Sequence, residues 1–233
     1  MKRILTLLLF ISICSTLVNA QGFGISMSYL YPKNGYFTSP VAPLSFHDIG
    51  LDFGKYISLA SSFTLYNVGG MSIAELPYGE SKEPLMGPFV SFAIGAYPII
   101  TIPIVKKTLF LELKGGWLGF INFNPRLMEG NLNDYLANGS GMENVSSAFS
   151  FDNKFGQGWS YGGDIIYYFS KTMGIKMGAK YLLAEGPLNL KGTYSGIVPG
   201  NGNPVIEQAV DLPAAYLDYQ GLSVNVGVVM KKK

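Results

Sequence analysis

Large apolar residues alternate with small or polar residues in eight segments of the chain, and this period of two predicts eight β-strands. In the first segment Ile25, Met27 and Tyr29 share one face, and Ser26 and Ser28 share the other. The predicted strands are 22–31, 47–55, 57–68, 89–98, 108–123, 159–169, 173–183 and a last strand that ends at Met230.

The two faces of these predicted strands indicate which kind of β-structure they form. One face carries large apolar side chains, and the other carries mostly Gly, Ser, Ala, Asn and charged residues. The inner faces of a soluble β-sandwich must interdigitate large side chains. A membrane barrel instead places large residues on lipid and small or polar ones in its interior. The pattern therefore favours a barrel.

Long and short connections alternate strictly along the chain. The long ones lie near 32–46, 69–88, 124–158 and 184–215, and the short ones near Tyr56, at 99–107 and at 170–172. This order is typical of a meander with short periplasmic turns and long extracellular loops. We therefore predict an all-β fold, a transmembrane antiparallel up-and-down β-barrel of about eight strands. In the loop after the fifth strand, Asn124-Pro125 and the spacing of Leu132 and Leu136 predict a short helix near 125–137.

The first twenty residues have the layout of a secretory signal. Lys2 and Arg3 precede an apolar run from Ile4 to Val18, and Val18-Asn19-Ala20 offers a cleavage site before Gln21. We expect residues 1–20 to be a signal peptide and residues 21–233 to form the barrel domain. After Ala20 no stretch of 18 consecutive apolar residues remains, which excludes a membrane-spanning helix by that criterion.

Composition and charge exclude several classes of function. Removing Lys2 and Arg3 from 17 basic and 15 acidic residues leaves a neutral chain, which lacks the basic field that nucleic acid requires. The single cysteine, Cys14, leaves with the signal, and one histidine cannot form a multi-histidine metal site. We therefore expect no cofactor, no metal ion and no nucleic-acid partner.

Charged residues inside the barrel form the candidate site. Because isolated charges in a narrow interior are costly, we expect these residues to pair. With a turn centred on Lys171, Asp164 lies opposite Gly178 and diagonal to Lys176 and Lys180, so we predict that it pairs with one of these lysines. By strand parity the inward charged residues are Asp48, Asp52, Glu112, Lys114, Asp164, Lys176 and Lys180.

The interior is also predicted to be too full for a general pore. Phe110, Leu118, Phe120, Ile166 and Tyr168 share the inward parity. Eight strands enclose an interior just wide enough for side chains. We therefore predict no general porin activity.

Segments such as "DIGLDFGKYISL", "LELKGGWLGFINF" and "GWSYGGDIIYYFSKTMGIKMGAKYLL" carry a resemblance to a known family. Over residues 21–233 the chain resembles the small OmpX/OmpA-type outer-membrane β-barrel proteins. The resemblance implies a place in the cell outer membrane, contact with lipid and lipopolysaccharide, and insertion by the barrel assembly machinery.

Function is predicted in three alternatives. The first is a non-enzymatic structural or anchor role, with extracellular loops as a possible binding surface for an external partner. Apolar and aromatic loop residues are candidates for that surface: Tyr36, Phe37, Leu127, Tyr194 and Ile197. The second is a lipid-A-modifying enzyme that uses His47, which has outward parity and lies near Ser39 and Ser45 in sequence. The third is a narrow conduit for a small apolar ligand.

Overall fold

A closed antiparallel β-barrel dominates the computed structural model, which describes residues 19–20, 23–36, 44–81, 83–200 and 205–230. Residues 1–18, most of the predicted signal peptide, lie outside the described residues. The single described helix is α1 (Glu129–Ser140). The strands are β1 (Asn19–Ala20), β2 (Phe23–Pro32), β3 (Gly35–Tyr36), β4 (Leu44–Asp52), β5 (Ile57–Val68), β6 (Gly70–Met71), β7 (Ile73–Ala74), β8 (Phe89–Val105), β9 (Leu109–Phe123), β10 (Glu143–Ser150), β11 (Gly156–Tyr168), β12 (Met173–Pro187), β13 (Leu190–Ile197), β14 (Val205–Leu212), β15 (Tyr216–Asp218) and β16 (Gly221–Met230).

Eight strands form the barrel in the order β2, β4, β5, β8, β9, β11, β12 and β16. Each pairs antiparallel with the next, and β16 pairs with β2 along its whole length, which closes the barrel. The predicted up-and-down barrel of eight strands is confirmed. The short strand β1 pairs with the end of β4.

The strand ends differ most from the prediction in the hairpin of β8 and β9. We predicted that the fourth strand ends at Pro98 and that a turn spans 99–107. Instead β8 continues to Val105 and the turn spans only 106–108. The alternation of apolar residues persists through Ile100 and Ile102, so pairing with β9 continues until Lys106 and Lys107.

The barrel wall has an apolar outside and a polar inside. Outward side chains such as Ile25, Leu59 and Ile165 are exposed, whereas inward side chains such as Ser28 and Ser91 are buried. Among the described residues, no helix is long and apolar enough to span a membrane.

The described residues of the long loops 69–88, 124–155 and 188–220 fold together over one mouth of the barrel, and we call them the cap. Strands β10, β13 and β14 form a separate three-stranded sheet within it. One cluster of buried apolar side chains joins the cap to the adjacent end of the barrel lumen. Its members include Leu85, Met86, Leu136, Tyr194, Leu217 and Tyr219.

Helix α1 lies in the cap and confirms the predicted helix, although the predicted start is wrong by four residues. Leu132 and Leu136 are its buried residues, as their spacing indicated. The segment before it forms sheet-like bonds instead: Met128 N donates to Leu85 O at 2.8 Å. Asn124 has φ of 52° and does not cap the helix, which begins after Met128 and ends at Gly141 in the left-handed conformation.

Candidate functional site

Lys176 lies at the centre of a buried charge network in the lumen. Its Nζ is 2.6 Å from Asp48 Oδ2, 2.7 Å from Glu112 Oε2 and 2.9 Å from Asp164 Oδ2. The lysine side chain is 0 % exposed. The three carboxylates come from β4, β9 and β11, and the lysine comes from β12, so the network joins strands from different parts of the wall.

The register of β11 positions Asp164 for its two lysine partners. Asp164 lies opposite Gly178 on β12 and opposite Glu112 on β9. This is the predicted position, and Asp164 pairs with Lys176, one of the two predicted lysines. Lys114 also donates to Asp164 Oδ2. Because the carboxylates of Asp164 and Glu112 lie on paired residues, the nearby lysines stabilise both of them against mutual repulsion.

A β-bulge at residues 47–48 turns the side chain of His47 inward, contrary to the prediction. The register of β4 against β5 shifts between Phe46 and Ile49, and Asp48 adopts φ of 63°. Two successive side chains therefore point inward, since an extra residue interrupts the alternation. His47 is buried at 5 % exposure, and its Nδ1 is 2.7 Å from Asp48 Oδ2. The expectation that His47 faces outward is wrong, whereas Asp48 faces the lumen as predicted.

Two of the predicted inward charges stand apart from this network. Asp52 lines a cavity of about 300 Å³ at the end of the barrel opposite the cap, together with Asp48 and Glu112. Lys180 is half-buried and forms no ion pair with any acidic residue that the structure describes. The structure therefore brings together five of the predicted charges and leaves these two outside.

Aromatic side chains contact each other at both ends of the lumen. Near the cap, Phe120 stacks on Tyr219 with ring centroids 4.1 Å apart, and the Tyr219 hydroxyl donates to Asn122 Oδ1 at 2.5 Å. At the opposite end, Phe110 and Tyr168 make an edge contact at 5.6 Å. Sequence reasoning missed Tyr219, because it lies outside any alternating segment and only the folded loop brings it to the lumen.

Several loop residues predicted as a binding surface belong to the interior of the cap. Tyr194 is 2 % exposed, and Leu127 packs against the same apolar cluster. Ile197 is half-buried, whereas Tyr36 is exposed; Phe37 lies outside the described residues. The cap has its own hydrophobic core, so its apolar residues contact each other first. The expectation that Tyr194 is available to a partner is wrong.

Tyr194 also forms polar contacts within the cap. Its hydroxyl oxygen lies 2.6 Å from that of Tyr78, and it donates to Gln208. Burial and the contact with Tyr78 raise the pKa of Tyr194 to about 12. The described residues contain no group of His, Asp and Glu side chains that could hold a metal ion.

The closed wall, the apolar exterior and the filled polar interior define the class of fold as a small eight-stranded outer-membrane β-barrel. No protein-family model and no curated relative matches the sequence. The structure is similar to that of outer membrane protein OprG from Pseudomonas aeruginosa, with a TM-score of 0.51, 10 % identity and coverage of 92 % of this chain and 97 % of that chain.

Two further solved structures match with lower TM-scores. One is the Outer Membrane Protein W of E. coli, with a TM-score of 0.39 and 10 % identity over 91 % of this chain and 97 % of that one. The other is Ail, the attachment invasion locus protein of Yersinia pestis, with a TM-score of 0.37 and 11 % identity over the same shares. The similarity to OprG confirms the resemblance to small outer-membrane barrels at the level of the fold.

Proposed function

We propose that this protein is a closed, non-enzymatic barrel of the cell outer membrane that anchors a folded extracellular cap. The observation that carries the proposal is that side chains obstruct the lumen at two levels. The Lys176 network fills its middle, and the cluster around Phe120 and Tyr219 covers its outer mouth. An ion would have to separate buried ion pairs and then displace the cap core.

Conductance in a planar lipid bilayer tests this proposal directly. We expect the purified barrel to produce no large, stable conductance. A variant in which β13 and β14 are replaced by a short linker is the matched control, because it changes the cap and keeps the Lys176 network. It should remain closed as well. Large, stable and weakly selective conductance from the unaltered protein would overturn the proposal.

The contacts of His47 support a non-enzymatic role. Its ring lies inside the wall against Gly24 and Asp48, away from lipid acyl chains outside the barrel. The Ser45 hydroxyl is hydrogen-bonded to Ser28 at 2.6 Å and to Thr64 at 3.0 Å, rather than to the histidine. Ser39 lies outside the described residues. His47→Ala should therefore leave the lipid A profile of the cells unchanged, and a lost lipid A modification would favour the enzyme.

A conduit for an apolar ligand is disfavoured by the same network. A ligand without charge would have to replace the contacts of Lys176 with Asp48, Glu112 and Asp164, and it offers no hydrogen bond in return. Leaving buried charges without partners costs several kcal/mol. Selective uptake of apolar compounds by vesicles that contain the barrel would contradict this argument.

The cap would bind an external partner through its exposed groove rather than through its core. A shallow groove of about 490 Å³ is lined by Tyr78, Glu80, Ser81, Glu83, Asn131, Asp134, Tyr135, Asn138 and Gly139. Rigid scaffolds commonly present binding residues on such loops. Contact with lipopolysaccharide, and insertion by the barrel assembly machinery, are parts of the same proposal.

A further inference from the structure

Four lysines surround a cleft at the end of the barrel opposite the cap. Lys55 follows β4, Lys106 and Lys107 join β8 to β9, and Lys171 joins β11 to β12. All four are exposed, and the turns 53–56, 106–108 and 169–172 contain no acidic residue. The cleft has a volume of about 650 Å³, and its lining combines these lysines with the aromatic residues Tyr56, Phe110, Tyr168 and Phe169.

The cleft lies at the rim of the barrel wall, because its lining comes from both faces of the wall. Tyr56 and Phe169 are exposed on the outside. Phe110 and Tyr168 are half-buried on the inside, where they also line the smaller cavity that contains Asp52. A molecule in the cleft therefore contacts the outer surface of the barrel as well as the edge of its lumen.

The positive charge of this rim is not neutralised by ion pairs within the protein. Among the described residues, none of the four lysines forms an ion pair. The nearby carboxylates of Asp48, Glu112 and Asp164 are already engaged by Lys176 inside the lumen. Asp52 lies outside that network and lines the adjoining cavity together with Lys55, so one carboxylate faces four lysines and the rim keeps a net positive charge. The rim is therefore suited to an anion.

An apolar surface leads from the barrel exterior to two of these lysines. Strand β8 extends past its pairing with β5, which ends where Ile57 meets Ile100. Beyond that point Ile102 and Ile104 are exposed, and Lys106 follows Val105 at the end of the strand. Lysine side chains next to apolar surface place their stems on it and their charged heads in the polar layer.

We infer that the rim cleft binds the phosphate group of an anionic phospholipid in the periplasmic leaflet. This inference rests on the proposed outer-membrane location. The lysines supply the charge, and the exposed Tyr56, Phe169 and isoleucines of β8 contact the acyl chains and glycerol. A water-soluble phosphate has no group that uses this apolar surface, so the ligand is a lipid. Basic pockets at membrane interfaces recognise anionic headgroups in this way.

Native mass spectrometry of the refolded barrel in a nonionic detergent tests the inference. The probes are phosphatidylglycerol and phosphatidylcholine with the same acyl chains. We expect the unaltered protein to retain phosphatidylglycerol preferentially. In a Lys106→Gln/Lys107→Gln/Lys171→Gln variant, each lost lysine weakens its binding about fivefold, or roughly a hundredfold together. Retention of phosphatidylcholine should not change. Equal retention of both lipids by the unaltered protein overturns the inference without reference to any variant.

Two matched variants separate the cleft from general electrostatic attraction. Lys33→Gln/Lys154→Gln/Lys191→Gln removes the same charge from the opposite end and should retain phosphatidylglycerol as the unaltered protein does. Substitution of residues 231–233 by Gln removes the lysines that follow Met230 in sequence, and it should also leave the preference intact. If either variant loses the preference as fully as the rim variant, the cleft is not the site.

Two further measurements identify the source of any failure. Inorganic phosphate at the concentration of the lipid should not compete, and equal competition would assign the site to a free anion instead. Bilayer conductance of the same preparations tests the closed lumen separately. A conducting barrel that still selects phosphatidylglycerol would refute the proposed closed anchor and leave this inference standing.

Discussion

Replacing Lys176 by Met is the most informative perturbation of the lumen. Met has an unbranched side chain of similar shape, with a sulfur in place of one methylene and no ammonium group, so packing changes little. Asp48, Glu112 and Asp164 then lose the cation that all three contact at 2.6–2.9 Å. Asp164 keeps its hydrogen bond from Lys114, whereas Glu112 has no other ion-pair partner among the described residues.

The magnitude follows from the burial of the network. Removing one partner of a buried ion pair typically destabilises a protein by about 3–5 kcal/mol, because the remaining charge is left uncompensated. Lys176 is 0 % exposed, so solvent does not replace it. With Asp164 partly compensated, we expect a loss of about 4 kcal/mol, roughly a thousandfold in the folding equilibrium.

Reversible urea unfolding of the refolded barrel, followed by tryptophan fluorescence, measures this loss. Lys191→Met is the matched control. Its ion pair with Asp211 spans 3.4 Å, and the two side chains are 59 % and 63 % exposed. Exposed pairs contribute less than about 1 kcal/mol, so the control should unfold almost as the unaltered protein does.

A second set of variants tests the reasoning itself. Adding Asp48→Asn and Glu112→Gln to Lys176→Met removes the uncompensated charges, and part of the lost stability should return because these sites are coupled. A loss below about 1 kcal/mol for Lys176→Met alone would refute the view that the lysine compensates buried carboxylates. So would a loss that the added substitutions leave unchanged.

Three further predictions concern packing, the helix and pH. Gly178→Val should destabilise the barrel by about 1–3 kcal/mol in urea, since a Cβ at this position overlaps Asp164 Oδ1; an unchanged midpoint would contradict the register. Gly130→Ala should stabilise the cap by roughly 0.5–1 kcal/mol, because nothing lies within 4 Å of the added Cβ and the residue is in α1; slower amide exchange there checks it. The cap should lose stability as pH rises from 10.0 to about 12, because folding raises the pKa of Tyr194. The neutral hydroxyl makes its full contribution to stability below the unfolded pKa of 10.0. That contribution is lost as pH rises through the folded pKa of about 12. Near-ultraviolet circular dichroism follows that change, and Tyr194→Phe should shift it; identical titrations would exclude Tyr194 as its source.

The local sequence pattern was sufficient to predict the strands wherever the barrel wall is regular. Alternation with a period of two assigned the barrel strands, since one face contacts an apolar surrounding and the other a narrow interior. The short connection around Lys171 set the register that puts Asp164 opposite Gly178 and beside Lys176. In such a hairpin the pairing is local, so the sequence alone predicts which residues are neighbours.

The tertiary structure decided the features in which distant segments meet. The bulge at 47–48 depends on how β4 fits against β5, and it turned His47 inward against its parity. The number of charges joined to Lys176 depends on barrel closure, which brings β4 and β9 close to β12. The alternation of residues along one strand predicts which face a side chain lies on, but not which residues of distant strands it contacts.

The cap is the clearest case of this division. The sequence indicated long loops and a helix near 125–137, but it did not indicate that these loops share a hydrophobic core. Tyr194 and Leu217 are buried because segments far apart in the chain fold over the same mouth of the barrel. Loop sequences have no fixed period, so the burial of their apolar residues follows only from the three-dimensional packing of all the loops together.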